Sequence, residues 1–235
     1  LNFNDMQEHL SWKTLQHFGF AELQNRYVRV HSNQEGQPSS FYGHYLLVED
    51  YDKTWRERSG YQDGALYKQG YEKKTRLNED DADMQSFRTS ITTLEGQELK
   101  DYLLNTVDIP NIINYNAVSA VMGNDDWSFY HNIYQFFDTE GDQRWSVVPW
   151  DLDNALVQSI FIGPTGAERM EDHAYYQVDW QRTDRFIENA LFQFPEFRDM
   201  YYRRVASVYD ELYKSGLLMQ WFEESSALSH DTVQE

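Results

Sequence analysis

The first apolar pattern along the chain has a helical period. Over 5–19 (DMQEHLSWKTLQHFG), Met6, Leu10, Leu15 and Phe18 predict a helix, with Asp5 as a candidate cap and Gly19 as its end. The period then shortens. NRYVRVHSN and GHYLLVED alternate as two strands, joined by the polar QEGQPSSFYG. A long polar stretch over roughly 50–100 follows. Its apolar content is thin, and its carboxylate run NEDDAD is read as a solvated loop or helix start rather than a cation site.

From 108 the texture turns apolar. DIPNIINYNAVSAVMG predicts a buried helix, opened by Asp108 and Pro110 and filled by Ile112, Ile113, Val118, Val121 and Met122. NIYQFFD and RWSVVPWD predict a hairpin closed by TEGD. Beyond IGPTG, a stripe of Ile187, Leu191, Phe194, Phe197, Tyr201, Val205 and Val208 predicts helix, interrupted at Pro195. Another helix follows Gly216. The order of helix, hairpin, polar stretch, helix, hairpin and helices predicts an α+β fold.

Composition narrows the functional classes. The 235 residues carry 39 Asp or Glu against 20 Lys or Arg, a formal net charge of -19. A nucleic-acid binder needs clustered cations to displace phosphate counterions, and no such run exists here. The absence of Cys excludes disulfides, thiolate zinc sites and a thiol nucleophile. No stretch approaches the ~18 continuous apolar residues of a membrane span. The chain opens on Leu1, which is read as the start of a processed or truncated piece.

The candidate chemistry gathers between Gly123 and Asn154. Asp125 and Asp126 follow the buried helix in a turn, and His131-Asn132 enters a strand. Asp151 and Asp153 leave the next strand two residues apart, which in extended chain puts both carboxylates on one face and Leu152 toward the core. Two carboxylates and an amide oxygen suit Mg²⁺, which keeps water and phosphate oxygens in its shell. Each residue alone has an ordinary reading: DLDN as an Asx turn, Asp125 or Asp126 as a helix-ending residue, His131 as a structural histidine. Together with a base-like Asp they form the kit for phosphoryl transfer. The chain has no GxSxG, HExxH, GxGxxG or P-loop pattern. Paired carboxylates with many aromatics leave glycoside hydrolysis as a lesser alternative.

The segments YGHYLLVEDYDKTW, GALYK, GNDDW with HNIYQF, RWSVVPWDLDNAL and FPEFRDMYYRRV, in this order, resemble the CotH family of spore-coat-protein-H-like atypical kinases. The resemblance implies a distant, two-lobed protein-kinase-like fold with ATP and Mg²⁺ (or Mn²⁺) between the lobes. It implies Asp126 as catalytic Asp, Asn132 as a metal or phosphate-side ligand, and Asp151 as the main metal Asp with Asp153 beside it. Glu49 falls where a hinge contacts adenine, chiefly through its backbone. Lys68 is a nucleotide-binding candidate with a packed or surface lysine as its rival, and Glu8 is a weaker candidate to pair with an ATP-site lysine.

The family generally carries upstream strands with a lysine for the ATP phosphates, so this chain is expected to lack the first N-lobe strands. Residues 1–50 are then the rest of an N-lobe with hinge, 51–105 a polar linking region, and 106–235 a helical C-lobe. The implied activity is transfer of the ATP γ-phosphoryl to Ser or Thr of proteins that are extracellular or at the cell surface. The alternative is a non-catalytic adhesion or binding module on the same fold.

Overall fold

A computed structural model describes residues 3–21, 23–61, 63–69, 71–124, 132–156 and 186–233. The first helix, α1 (Phe3–His17), begins before Asp5, which is therefore not its cap. The chain then forms an antiparallel ribbon of β1 (Asn25–Ser32) and β2 (Ser40–Val48), paired from Asn25↔Val48 to Ser32↔Ser40 with a bulge at Val30/His31. A short helix α2 (Lys53–Arg58) follows, capped by the Asp52 side chain accepting from Trp55 N–H.

Residues 51–105, expected as a polar linking region, contribute more to the core than their composition suggests. They supply β3 (Gly64–Lys68), β4 (Glu72–Lys73), α3 (Ala82–Thr93) and α4 (Gly96–Thr106). Strand β3 is an inner strand of an antiparallel sheet ordered β4-β3-β5-β6, where β5 is Ile133–Asp138 and β6 is Trp145–Pro149. In α3 the apolar residues Met84, Phe87 and Ile91 stand singly in a polar background, yet all three are buried. Part of NEDDAD is also held: Asp83 receives the hydroxyl of the buried Tyr67, and Asp80 O receives the Lys73 ammonium.

Both faces of this sheet are covered, which follows from its period-2 rows. On one face lie Tyr67, Gln135, Val147, Ala65, Phe137 and Trp145, with Phe87 stacked on Trp145 at 4.7 Å. On the other, Leu66, Phe136, Lys68, Tyr134 and Val148 are roofed by Tyr51, Trp55 and Tyr61. Truncating a fully buried ring in such a seam costs about 3–5 kcal/mol. The hairpin turn is closed by the Asp138 carboxylate, which accepts from Gly141 N–H at 2.7 Å; a Cβ at Gly141 would collide with that carboxylate.

The helix expected at 108 is α5 (Ile109–Met122), buried over nearly its whole circumference. Asp108 caps it by accepting from Asn111 N–H, and Gly123 ends it in the left-handed conformation at φ 62°. Its N-terminus is tied to the sheet: Asn111 Oδ1 accepts from Val147 N–H at 2.8 Å, and Trp145 O from Asp108 N–H at 2.9 Å. After α6 (Phe186–Leu191), helix α7 (Pro195–Tyr209) packs on α5, where Arg204 donates to Asn114 at 2.8 Å. A π-helical turn at Asp210–Lys214 leads to α8 (Leu217–Val233), which returns to α1. The fold is α+β, as expected. No helix among the described residues is long and apolar enough to cross a membrane.

Candidate functional site

Three of the candidate residues meet at one end of the four-stranded sheet. Lys68 is the last residue of β3, Asn132 immediately precedes β5, and Asp151 follows β6 by two positions. The register makes the row explicit. Gln69 N–H donates to Ile133 O at 3.0 Å, and Ile133 pairs with Pro149. Adjacent strands lie about 4.8 Å apart, so the strand ends that carry Lys68 and Asp151 are roughly 10 Å apart across the sheet, with the start of β5 and Asn132 on the strand between them.

The expectation that Asp151 and Asp153 share a face through strand alternation does not hold. The strand ends at Pro149, and Asp151 has φ +54°, in the left-handed region. Asp is among the non-glycine residues that tolerate this conformation. The chain then turns, with Leu152 O accepting from Ala155 N–H at 3.1 Å and Leu156 again left-handed at φ +57°. Leu152 is fully buried, as expected, Asp151 is half-buried and Asp153 is exposed. The turn is pinned at its far end: Met122 O accepts from Leu156 N–H at 2.8 Å, and Leu156 O from Gln7 Nε2 at 3.1 Å. Asp151 is thus fixed between a strand, the end of α5 and helix α1.

Asn132 is buried at 3% exposure, so its amide points into the protein end of the site rather than to bulk water. Lys68 is half-buried and makes no ion pair among the described residues. Glu8 receives Trp12 Nε1–H at 3.4 Å on its own helix. Its neighbour Gln7 is the residue that docks α1 on the Asp151 turn. Glu49 sits elsewhere, at the end of β2. Its carboxylate accepts from Gln24 N–H at 2.9 Å and pairs with Arg58, while its own N–H goes to Gln24 O at 2.8 Å. That N–H is therefore engaged within the ribbon, beside a groove of about 610 Å³. Asp125, Asp126 and His131 lie outside the described residues.

Two features of this end were not read from the sequence. Asn124, which follows the helix-ending Gly123, is fully buried, and neither atom of its amide has a hydrogen-bond partner among the described residues. The other is an aromatic platform. Tyr51, Tyr134 and Trp150 contact one another at ring separations of 5.0, 5.3 and 5.8 Å beside Asp151, and the Tyr51 hydroxyl donates to Pro149 O. In sequence these rings are 16 to 99 positions apart and look like ordinary core aromatics.

Burial sets the ionisation of the tyrosines on both faces of the sheet. It pushes Tyr134 up to about 12, helped by Asp50 and Glu72, and Tyr61 to about 12, helped by Asp108. Burial raises Tyr51 as well, and it raises Tyr67, reinforced by the hydrogen bond to Asp83. A folded-state pKa above the unfolded value of about 10 gives stability that is complete below pH 10 and lost as pH rises through 12. Stability should therefore be flat on this account up to about pH 10 and fall between 10 and 12. Tyrosinate absorbance against pH checks this: part of the 17 tyrosines should ionise only with unfolding. Ionisation of all of them near pH 10 in a folded chain would contradict it.

The profile of the family described as CotH kinase protein matches residues 3–220. The chain belongs to the CotH family. It is similar to the inner spore coat protein H of Bacillus subtilis (strain 168), with 24% identity over 210 residues. That alignment covers 80% of this chain and 53% of the relative, so the CotH chain described here spans about half the relative's length. The matched region contains every candidate residue named above, from Glu8 to Asp153.

Proposed function

We propose that this CotH chain carries the catalytic end of an atypical protein kinase that transfers the ATP γ-phosphoryl to Ser or Thr hydroxyls of surface or coat proteins. The observation behind the reading is the convergence of Lys68, Asn132 and Asp151 on one sheet end, with Asp151 held in a left-handed conformation. Non-glycine residues in that region are uncommon, and such positions cluster at functional sites. The family's description as a kinase protein and the relative's name as a spore coat protein support the activity and the location respectively.

The donor set fits a hard divalent cation. Asp151 and Asp153 offer carboxylate oxygens and Asn132 a carbonyl oxygen, the ligand chemistry that Mg²⁺ or Mn²⁺ takes alongside phosphate oxygens and water. The rest of the shell would come from ATP and water. A cation bound there neutralises charge on the phosphates. The chain's own work is positioning. Lys68 would direct its ammonium to a phosphate, and Tyr51, Tyr134 and Trp150 would exclude water beside Asp151. Asp126 would orient the acceptor hydroxyl and take its proton.

Thermal unfolding with ATP plus Mg²⁺, ATP plus Mn²⁺ and ATP alone tests the reading. A ligand at a hundred times its Kd stabilises the native state by about 2.7 kcal/mol. The melting temperature should rise with both metals and not with ATP alone. A second reading, a non-catalytic binding module, rests on the β1–β2 ribbon, which exposes Phe41 (50%), Tyr42 (68%), Tyr45 (43%) and Leu47 (50%). If no shift occurs with any metal, that reading replaces the first.

A further inference from the structure

An open groove of about 680 Å³ lies between the first turn of α5 and helix α7. It is at the opposite end of α5 from the Asp151 turn; at 1.5 Å per residue, the 14 residues of α5 separate the two by about 20 Å. Met200, Arg203, Arg204 and Ser207 line one side of it. Their spacing of three, four and seven positions is that of a single helix face, next to the stripe that α7 buries on α5. Pro110 and Asn111, in the first turn of α5, line the other side. These groups are open to an incoming partner. Pro110, Arg203, Ser207 and Met200 (38%) are exposed, and Asn111 and Arg204 are half-buried.

The uncommitted polar groups of the groove are mostly donors. Arg204 donates through Nε to Asn114 at 2.8 Å and lies 5.2 Å from the Phe18 ring. Arg203 donates through Nε to Asp199 O of its own helix at 3.2 Å. Among the described residues the Nη groups of both have no acceptor. Asn111 accepts from Val147 N–H through its oxygen, which leaves its NH₂ to donate outward. The one carboxylate in the lining, Asp108, already caps α5 by accepting from Asn111 N–H at 3.1 Å. Neither arginine forms an ion pair among the described residues, although carboxylates outnumber Lys and Arg by 39 to 20 and Arg58, Arg76 and Lys100 each hold one. Two adjacent cations left without a carboxylate in so acidic a chain are the electrostatic complement of an anionic partner.

We infer that this groove docks an extended acidic segment of a partner protein, whose carboxylates take the Arg203 and Arg204 Nη donors and whose apolar side chain rests on Pro110 and Met200. An arginine fork engages a carboxylate through two parallel hydrogen bonds, so the pair of arginines also fixes the segment's direction. The net charge of -19 repels acidic segments from most of the surface, which confines binding to this local match. At about 0.1 M ionic strength, charges more than about 10 Å away are largely screened, while the contact pairs persist. The site does not depend on the kinase reading, because none of the candidate catalytic or metal residues lines it.

Fluorescence anisotropy of a labelled Asp-Asp-Leu-Asp-Glu peptide with the intact chain, at about 0.1 M salt, tests the inference. The peptide Asn-Asn-Leu-Asn-Gln is the uncharged analogue. The wild type should bind the acidic peptide, and the analogue should bind at least about tenfold more weakly, the scale of one lost charged hydrogen bond. Arg203→Gln alters an exposed side chain that holds only a carbonyl of its own helix, and it should weaken the acidic peptide about threefold to fivefold. The double variant Arg203→Gln/Arg204→Gln should weaken it about tenfold or more. If the double variant fails to fold through loss of the Asn114 contact, Arg203→Gln and the uncharged peptide decide the matter. The acidic peptide should shift the amide resonances of Gly19, Asn111 and Ser207, whereas Arg26→Gln on β1 and Asp151→Asn should leave its affinity unchanged. No binding by the wild type, equal affinity for the two peptides, undiminished binding by Arg203→Gln, or shifts centred on β1 would each overturn the site.

Discussion

Asp151→Asn is expected to lower the affinity for ATP with Mg²⁺ by roughly a hundredfold or more while leaving the fold intact. Removing an outer partner of a metal site already costs about 10–100-fold, so loss of a direct carboxylate ligand sits at or beyond the top of that range. The fold should survive for a specific reason. Asp151 has φ +54°, and Asn is one of the few other residues that accept the left-handed region without much strain. The substitution thus removes charge and little else. Titration calorimetry with ATP-Mg²⁺ on both proteins reads the effect, and circular dichroism checks the fold. Equal affinities would return Asp151 to the role of a turn residue at the end of β6.

Asp126→Asn should behave differently. If its work is on the acceptor hydroxyl, ATP-Mg²⁺ affinity stays near the wild-type value. Phosphoryl transfer to a Ser-rich acceptor, or autophosphorylation, falls by about a hundredfold or more, the usual scale for losing a general base. Loss of both binding and transfer would move Asp126 among the metal ligands and make Asp125 the candidate base. A wild type that neither binds nor transfers would end the kinase reading and leave the exposed aromatic ribbon as the functional surface.

The two substitutions separate binding from chemistry because they strike different parts of one short stretch of chain. Residues 122 and 156 are joined by a backbone hydrogen bond. The turn that carries Asp151 is therefore rooted at the C-terminal end of α5, which stops four positions before Asp126 in the sequence. Asn124, fully buried and with its amide unpartnered among the described residues, follows Gly123 there.

Much of this architecture was legible from local rules. The α5 boundaries follow from an Asp cap, a Pro in the first turn and a Gly at the end, all interactions within a few residues. The β5–β6 hairpin follows from alternation and a turn closed by Asp138. The family was legible from motif order, and with it the short set of candidate residues. Local rules failed where a local pattern was weak or was replaced. Met84, Phe87 and Ile91 gave the polar stretch too few apolar residues to advertise a core helix, although Phe87 stacks on Trp145 from 58 positions further on. The Asp151–Asp153 spacing suggested a strand, but a left-handed residue ended it.

By itself, then, the sequence determined the α+β class, the elements around Asp108–Asp151 and the residues that could bear oxygen-ligand chemistry, because period, caps and turn chemistry act over a few residues. Only the tertiary structure decided which of them meet. Lys68 comes to Asn132 through the β3–β5 register, Glu49 goes instead to Gln24 and Arg58, and Gln7 crosses 149 positions to hold the Asp151 turn. Tyr51 roofs the sheet end by contacts with rings 83 and 99 positions away. Such contacts are selected by the packing of whole faces against one another, and no window of a few residues contains that information.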